Sequence, residues 1–456
     1  MAVAHRDPID TFAAARSLGW EPALWLAPGD GFALVAIGTA WAVRPTGSTR
    51  FRDAAAAWTS LTSHAVLSGD GPDPRGAGPL LVGGFAFATG SGRPSDAWLG
   101  FGEADLVLPS LLVTVDGGNA WLTASAIVGG AAIGPSSGRG EQTGEQWAGQ
   151  TRGQAVADLD AAWAEIERAG SPAVPLTPAV DELHATSAVP EEAWRAAVIR
   201  LAGAVGRGRV DKVVLARQVD VSAEAPIDVP AVLRRLEANS PESTVFAISR
   251  GARTFLGATP ERLVRTEGHE FRTVAMAGSV RRGSDDDEDA RLASELLANE
   301  KEREEHRVVV DMLRQTLDPL SARLDVEPSA SVVRFRHIQH LVTLVGGRLR
   351  EQAGILDLVE RLHPTPAVGG APRELALVLL HDEERLDRGW YAGPVGWLDR
   401  RGDGEFVVAI RSGVVNGSSA SLFAGCGIVA DSEPAREWEE SQVKLRVLAS
   451  ALGRLA

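Results

Sequence analysis

The chain has 456 residues, a formal net charge of −14 and a single cysteine, Cys426. With 45% hydrophobic and 23% charged residues it has globular composition, which excludes global disorder, and one cysteine excludes an intramolecular disulfide and any multi-cysteine metal site. The acidic balance gives no electrostatic support to nucleic-acid or anionic-membrane binding, so an anionic ligand would need locally concentrated cations or a metal.

The elements expected in chain order begin with short strands and turns up to about residue 125, among them FALVAIGTAWAV, LLVGGFAFAT and LVLPSLLVTVDGGNAWLTASAIV, with a helix over Arg50–Leu61. The Gly31–Val43 stretch is too short to span a bilayer. The N-terminus shows no basic region followed by an apolar one, so a cytoplasmic protein is expected. Residues 129–155 are rich in Gly, Ser and Gln and read as a surface loop. A helix from about 155 to 169 and the Pro-rich SPAVPLTPAV follow.

From Pro190 the periodicity sharpens. Helix Glu191–Val205 carries apolar residues at helical spacing, followed by strand Val213–Val221, helix Val229–Ala238 and strand Ser243–Ser249. A hairpin around Gly268 leads to one long helical run, Asp287–Leu317. After strand Leu341–Leu349 and helix Ile355–Leu362 comes the loop HPTPAVGGAP, then helix Pro372–His381. A meander, Gly393–Asp399, Phe406–Val415 and Ser421–Val429, precedes a C-terminal helix over Pro434–Leu452. The mixture is α+β rather than strict βαβ alternation.

Of the 46 basic residues only Lys212, Lys301 and Lys444 are lysines. In a chain that otherwise uses arginine, a remaining lysine can mark a place where a primary amine is needed, because a buried amine can lose its proton and guanidinium effectively cannot. Lys212 begins a strand, and Glu261 follows a strand and a proline, where a carboxyl can be buried and raised in pKa. Glu302/Glu305 and Glu437/Glu440 are carboxylate pairs three apart on two helices, so each pair shares a helix face. Such pairs suit a hard cation, although Lys301–Glu305 and Glu440–Lys444 salt bridges account for the same spacing. No Walker A loop, HExxH or strand-associated GxGxxG is present.

The segments KVVLAR, GATPERL, AMAGSVRRG, EKEREEH, QHLVT, LHPTPAVGGAP, RGWYAGPVGW, VAIRSG and AGCGIVADSEPAREWEESQVKL, in that order, resemble the chorismate-utilising enzymes and, within them, the isochorismate synthases. The resemblance covers about residue 190 to the end, with a looser match through GGFAFAT and PSLLV before it. It implies two face-to-face antiparallel β-sheets with helices packed outside, as in anthranilate synthase component I. Residues 1–185 would form an N-terminal variable half and 186–456 the chorismate-binding catalytic region.

By resemblance, Lys212 is the base and Glu261 the general acid. Glu305 and Glu440 hold Mg²⁺, with Glu302 and Glu437 assisting through water. Substrate contacts match Tyr391, Arg411, Lys444 and the backbone of Gly425–Gly427, while Gly278 and Ser279 fall on the loop approaching the ring. His363 and Ala367, in HPTPAVGG, complete the substrate set. The implied reaction is Mg²⁺-dependent addition of water at C2 of chorismate with loss of the C4 hydroxyl, an isomerisation by net hydroxy transfer. Lysine at 212 argues for water rather than ammonia as nucleophile, so no glutamine amidotransferase subunit is expected. Alanine at 367, where salicylate synthases typically have threonine, favours stopping at isochorismate. The other readings are a salicylate synthase and a non-catalytic chorismate-binding paralogue. Cys426 departs from the family's alanine and is read as structural. The resemblance implies a monomer and leaves menaquinone and siderophore or salicylate pathways open.

Overall fold

The computed structural model describes residues 2–68, 74–90, 95–128, 152–169, 180–334, 338–384 and 386–455. The expected loop at 129–155 lies outside these up to residue 151, as does most of SPAVPLTPAV. The described part of that loop, from Arg152, already belongs to the helix Arg152–Ala169. The chain packs as two compact units, one of residues 1–261, 364–397 and 408–456, the other of 262–363 and 398–407. Among the described residues no helix is long and apolar enough to cross a membrane.

The first unit is built on a large sheet. Its strands run in the order Ala2–Val3, Asn119–Ala124, Leu111–Asp116, Phe32–Ile37, Ala23–Ala27, Thr244–Arg250, Arg253–Thr259, Ser412–Asn416, Ser419–Ile428, Lys212–Ser222, Val180–Ser187 and Gly453–Leu455. Pairing is antiparallel, apart from the parallel pair formed by Val180–Ser187 and Gly453–Leu455. Side chains alternate between the two faces of such a sheet. Leu24, Val35, Val245 and Leu422 point to one face and are buried with Phe12, Leu236 and Leu448 of the covering helices. The other face is aromatic: Phe255 lies among Phe246, Trp98, Phe101 and Trp390, at ring separations of 5.1–6.3 Å. Each such buried side chain contributes about 1.5–3 kcal/mol. The strands Trp41–Val43, Ala104–Leu108 and Leu80–Phe85 pair with one another. The strand Pro394–Asp399 lies beside Leu80–Phe85 in this second sheet, and the ring of its Trp397 sits 5.5 Å from Phe32 of the large sheet, so two sheets face each other with helices outside, as the resemblance implied.

The second unit orders Ser321–Val326, Ile338–Leu349, Glu270–Arg281, Arg262–Glu267 and Gly404–Val408, with Ser331–Arg334 beside Ile338–Leu349. Its helices are Asp286–Ala298, Glu300–Leu317 and Ile355–Leu362.

Three sequence expectations are corrected and one is refined. The single run Asp287–Leu317 is two helices, because Asn299 is extended (ψ 114°); its side-chain oxygen accepts from Glu302 N at 3.2 Å and starts the second helix as a cap. The strand Phe406–Val415 is interrupted between Val408 and Ser412, where Arg411 takes a positive φ of 53°. FALVAIGTAWAV, expected as strand and turn, forms the short strands Phe32–Ile37 and Trp41–Val43, which lie in different sheets. A helix over Pro8–Ser17 stands among the expected N-terminal strands; Asp7 caps it by accepting from Ile9 N and Asp10 N, and Pro8 opens its first turn.

Candidate active site

Lys212 opens a strand flanked on both sides. Val213 pairs with Ile428 on one side and Gly370 on the other, so Lys212 is not at an exposed edge. Asp211 N donates to Ala371 O at 2.7 Å and Val214 N to Gly369 O at 3.1 Å, which locks HPTPAVGGAP alongside the lysine. The side chain lies across Gly427, where a Cβ would meet Lys212 Cε at 2.4 Å.

Glu261 leaves the strand Arg253–Thr259 after Pro260. Its N–H donates to Thr259 Oγ1 at 3.2 Å and its carbonyl accepts from Val408 N at 3.0 Å. Thr365 Oγ1 donates to Glu261 Oε1 at 3.4 Å. Burial pushes the Glu261 carboxyl above the ordinary carboxylate range, opposed by the Thr365 bond and by the charges of Lys212, Arg411 and Lys444. The acid thus keeps its proton to higher pH, with three cations within electrostatic reach.

Around this centre sit the other expected contacts. Tyr391 is buried and stacks on Phe423 at 5.3 Å. Burial raises its pKa, so its hydroxyl stays a donor, and a Cβ on Gly425 would stand 3.4 Å from it. Lys444 Nζ donates to Gly425 O at 2.8 Å and pairs with Glu440 at 2.6 Å, so the i, i+4 salt bridge forms but is not the lysine's only contact. Burial lowers the Arg411 pKa, while Tyr391, Glu440, Cys426 and Glu261 support its charge. Among the described residues the Arg411 guanidinium makes no hydrogen bond or close ion pair, which leaves a desolvated cation suited to a carboxylate. Ala367 lies in the same loop, between Thr365 and Val368, and Val368 N donates to Thr365 O at 3.1 Å.

Glu437, Glu440 and Cys426 bring ligand atoms within 4.8 Å of one another. Ser432 donates to Glu437 Oε1 at 2.8 Å, while Oε2 is buried with no hydrogen-bond partner. Burial raises the Glu437 pKa, opposed by the Ser432 bond. An orphaned carboxylate oxygen beside a second carboxylate fits a hard divalent cation. Cys426 is a different donor: burial pushes its pKa up to about 12, and its Sγ donates to Glu437 O at 3.1 Å. It is a packed thiol, in keeping with a structural role, and neither a thiolate ligand nor a reactive group.

In the second unit, Glu302 Oε2 accepts from Ser279 N at 3.1 Å, and a Cβ on Gly278 (φ 77°) would stand 3.2 Å from the same oxygen. Glu302 therefore grips the Gly278–Ser279 bulge. Glu305 is exposed on the same helix. His363 is buried at the end of Ile355–Leu362, its N–H bonded to Val359 O at 2.9 Å.

Two participants were missed from sequence. Thr365 contacts Glu261 across 104 residues of chain, and only its place in HPTPAVGG hints at it. His306 is buried and joins Ala277 O (3.1 Å) to Thr343 Oγ1 (2.7 Å), which fixes Nδ1 as the donor to the carbonyl; its signal was a histidine beside Glu305.

Comparison with known proteins shows the family. The family model described as chorismate binding enzyme matches residues 1–453. The chain is 34% identical over 454 residues to the isochorismate synthase MenF of Bacillus subtilis, covering 98% of this chain and 91% of that protein. It is 35% identical over 451 residues to the salicylate biosynthesis isochorismate synthase of Pseudomonas aeruginosa, covering 98% and 88%. The solved menaquinone-specific isochorismate synthase MenF of Escherichia coli superposes with a TM-score of 0.77 at 26% identity, over 99% of this chain and 93% of that one. The chain belongs to the chorismate binding enzyme family.

Proposed function

We propose that this protein is an isochorismate synthase. Water adds at C2 of chorismate, the C4 hydroxyl departs, and the ring double bonds shift between them. The observation that carries this reading is Lys212, laid across Gly427, within electrostatic reach of a buried Glu261 that accepts from Thr365 and whose pKa burial raises: a base for the incoming water and an acid for the leaving hydroxyl. Lysine, rather than an uncharged amide, at position 212 suits water as nucleophile, and no amidotransferase subunit is then needed.

Arg411, Tyr391 and Lys444 bind the substrate's carboxylates, with the Gly425–Gly427 backbone below them. Gly278, Ser279, His363 and Ala367 complete the substrate contacts, and residues 186–456 carry the chemistry while 1–185 supply the rest of the fold. Mg²⁺ is the proposed cofactor, with Glu440 and Glu305 as ligands and Glu437 and Glu302 assisting; when bound, it offsets the charge that develops on the ring carboxylate. This chain's own residues hold the substrate, take the proton from water at Lys212 Nζ and deliver a proton from Glu261 to the C4 oxygen. A cytoplasmic monomer is proposed.

The test is incubation of the purified protein with chorismate and Mg²⁺, with products separated chromatographically and pyruvate read by a coupled lactate dehydrogenase assay. Isochorismate with little pyruvate is expected. Salicylate in step with pyruvate replaces this reading by salicylate synthase, and no turnover replaces it by a binding paralogue.

A further inference from the structure

The strand that begins at Lys212 has a gap along one edge. At its start it is paired by Gly369–Ala371, and from Val219 to Ser222 by Val180–Ser187. Between them, among the described residues, Val214 O and Ala216 N face no strand; two side chains occupy the place. Ala216 N donates to Glu384 Oε2 at 3.0 Å, and Val214 O accepts from Arg388 Nη2 at 2.6 Å. Glu384 and Arg388 are themselves joined by two bonds of 2.5 Å, Nε to Oε1 and Nη2 to Oε2. Their side chains are only 5% and 4% exposed.

The same guanidinium reaches a second segment of the site. Arg388 Nη1 donates to Val368 O at 2.8 Å, next to Ala367. Its flat face lies 4.1 Å from the Phe87 ring, and its own carbonyl accepts from Tyr391 N at 2.9 Å. The planar fork can bind carboxylate and carbonyls at once, which an ammonium cannot do. Because Glu384 balances its charge, Arg388 is unlike Arg411: it is committed to backbone and carboxylate, not to a ligand.

We propose that Arg388, held by Glu384, is a positioning residue of the reaction, fixing the Lys212 strand against the loop that carries Ala367 and so setting where the base stands relative to C2. The proposal rests on the isochorismate synthase reading. It concerns the chemical step, because Arg411, Lys444 and Tyr391 still bind the substrate when the clamp is loosened.

Arg388→Lys keeps the charge and loses the fork. The experiment measures kcat and KM for chorismate in wild type and variant, with folding followed by circular dichroism and thermal unfolding. A misplacement of about 1 Å lowers rate by roughly 100-fold, so kcat is expected to fall by about that factor while KM stays within about threefold. Equal loss in both parameters, or kcat unchanged, overturns the proposal. If Arg388→Lys does not fold, Glu384→Gln, which keeps shape and one acceptor, takes its place, with a kcat loss of about tenfold or more at steady KM as the supporting result. Failure of both variants to fold also overturns it, since a purely structural role then accounts for the pair. Wild type run in parallel separates the two readings: without isochorismate from wild type the functional assignment fails, whatever the variants do.

Discussion

Lys212 lies flat on Gly427: a methyl group at Gly427 would stand 2.4 Å from Cε and 3.0 Å from Nζ of the lysine. Gly427 is not among the positive-φ residues, so its backbone suits any residue and the demand for glycine comes from the lysine above it. Gly427→Ala should fold normally and displace the amine. We expect kcat to fall by about 100-fold, the scale of a 1 Å misplacement, with a smaller change in KM. Steady-state kinetics read this, and an unchanged kcat would show that Lys212 Nζ does not act from this position.

Removing the amine should be more severe. General-base contributions run to about 10²–10⁴-fold, and Lys212→Ala should lose at least that much turnover while chorismate binding in the presence of Mg²⁺ largely survives. Lys212→Arg keeps the charge but holds its proton too tightly to serve as a base, and should be nearly as inactive. Near-wild-type turnover in either variant refutes the role.

Glu261 ties activity and stability to pH. Its folded-state pKa is raised, chiefly by burial, so the native chain holds this proton more tightly than the unfolded chain. The resulting stabilisation is complete below the unfolded value of about 4.3 and is lost as pH rises through the folded pKa. Glu261→Gln should remove that decline, so the Tm of the variant relative to wild type should rise as pH increases above about 4, through the raised folded-state pKa. The same variant cannot donate a proton to the C4 oxygen and should lose turnover at every pH. A Tm difference flat with pH would contradict the buried acid.

Each glutamate pair can be tested by metal titration. Glu440→Gln and Glu305→Gln should each raise the Mg²⁺ concentration for half-maximal activity sharply, because a neutral amide is a poorer ligand for a hard cation. Smaller shifts are expected for Glu437→Gln and Glu302→Gln, whose carboxylates are also engaged by Ser432 and Ser279. Calorimetric titration with Mg²⁺ alone provides a readout independent of turnover. Unchanged half-saturation in both Glu440→Gln and Glu305→Gln refutes the metal assignment.

Much of this protein was legible in its sequence where the signal is local. Helices Ile355–Leu362 and Pro434–Leu452 have the bounds that periodicity and the N-terminal proline of the second indicate. The Lys212 strand, the Gly268 hairpin and the two glutamate pairs also follow from short-range pattern. Signals inside apparently continuous elements were harder to see. Asn299 reads as one more helical residue until its side chain caps the next helix, and Arg411 reads as a strand residue until its positive φ breaks the strand. The contacts that organise the site were out of reach because they join distant residues. Thr365 meets Glu261, and Glu384 meets Ala216 across 168 residues; no local propensity encodes either meeting.

The central claim is that solvent water becomes the new hydroxyl, activated at Lys212. Turnover of chorismate by the wild-type protein with Mg²⁺ in ¹⁸O-labelled water, followed by mass spectrometry of the isochorismate, tests it most directly. The account predicts isochorismate carrying one solvent oxygen, at the C2 hydroxyl, and none formed by Lys212→Ala. Unlabelled isochorismate would mean that the C4 hydroxyl itself migrates, and would contradict the assignment of Lys212 as the base for water.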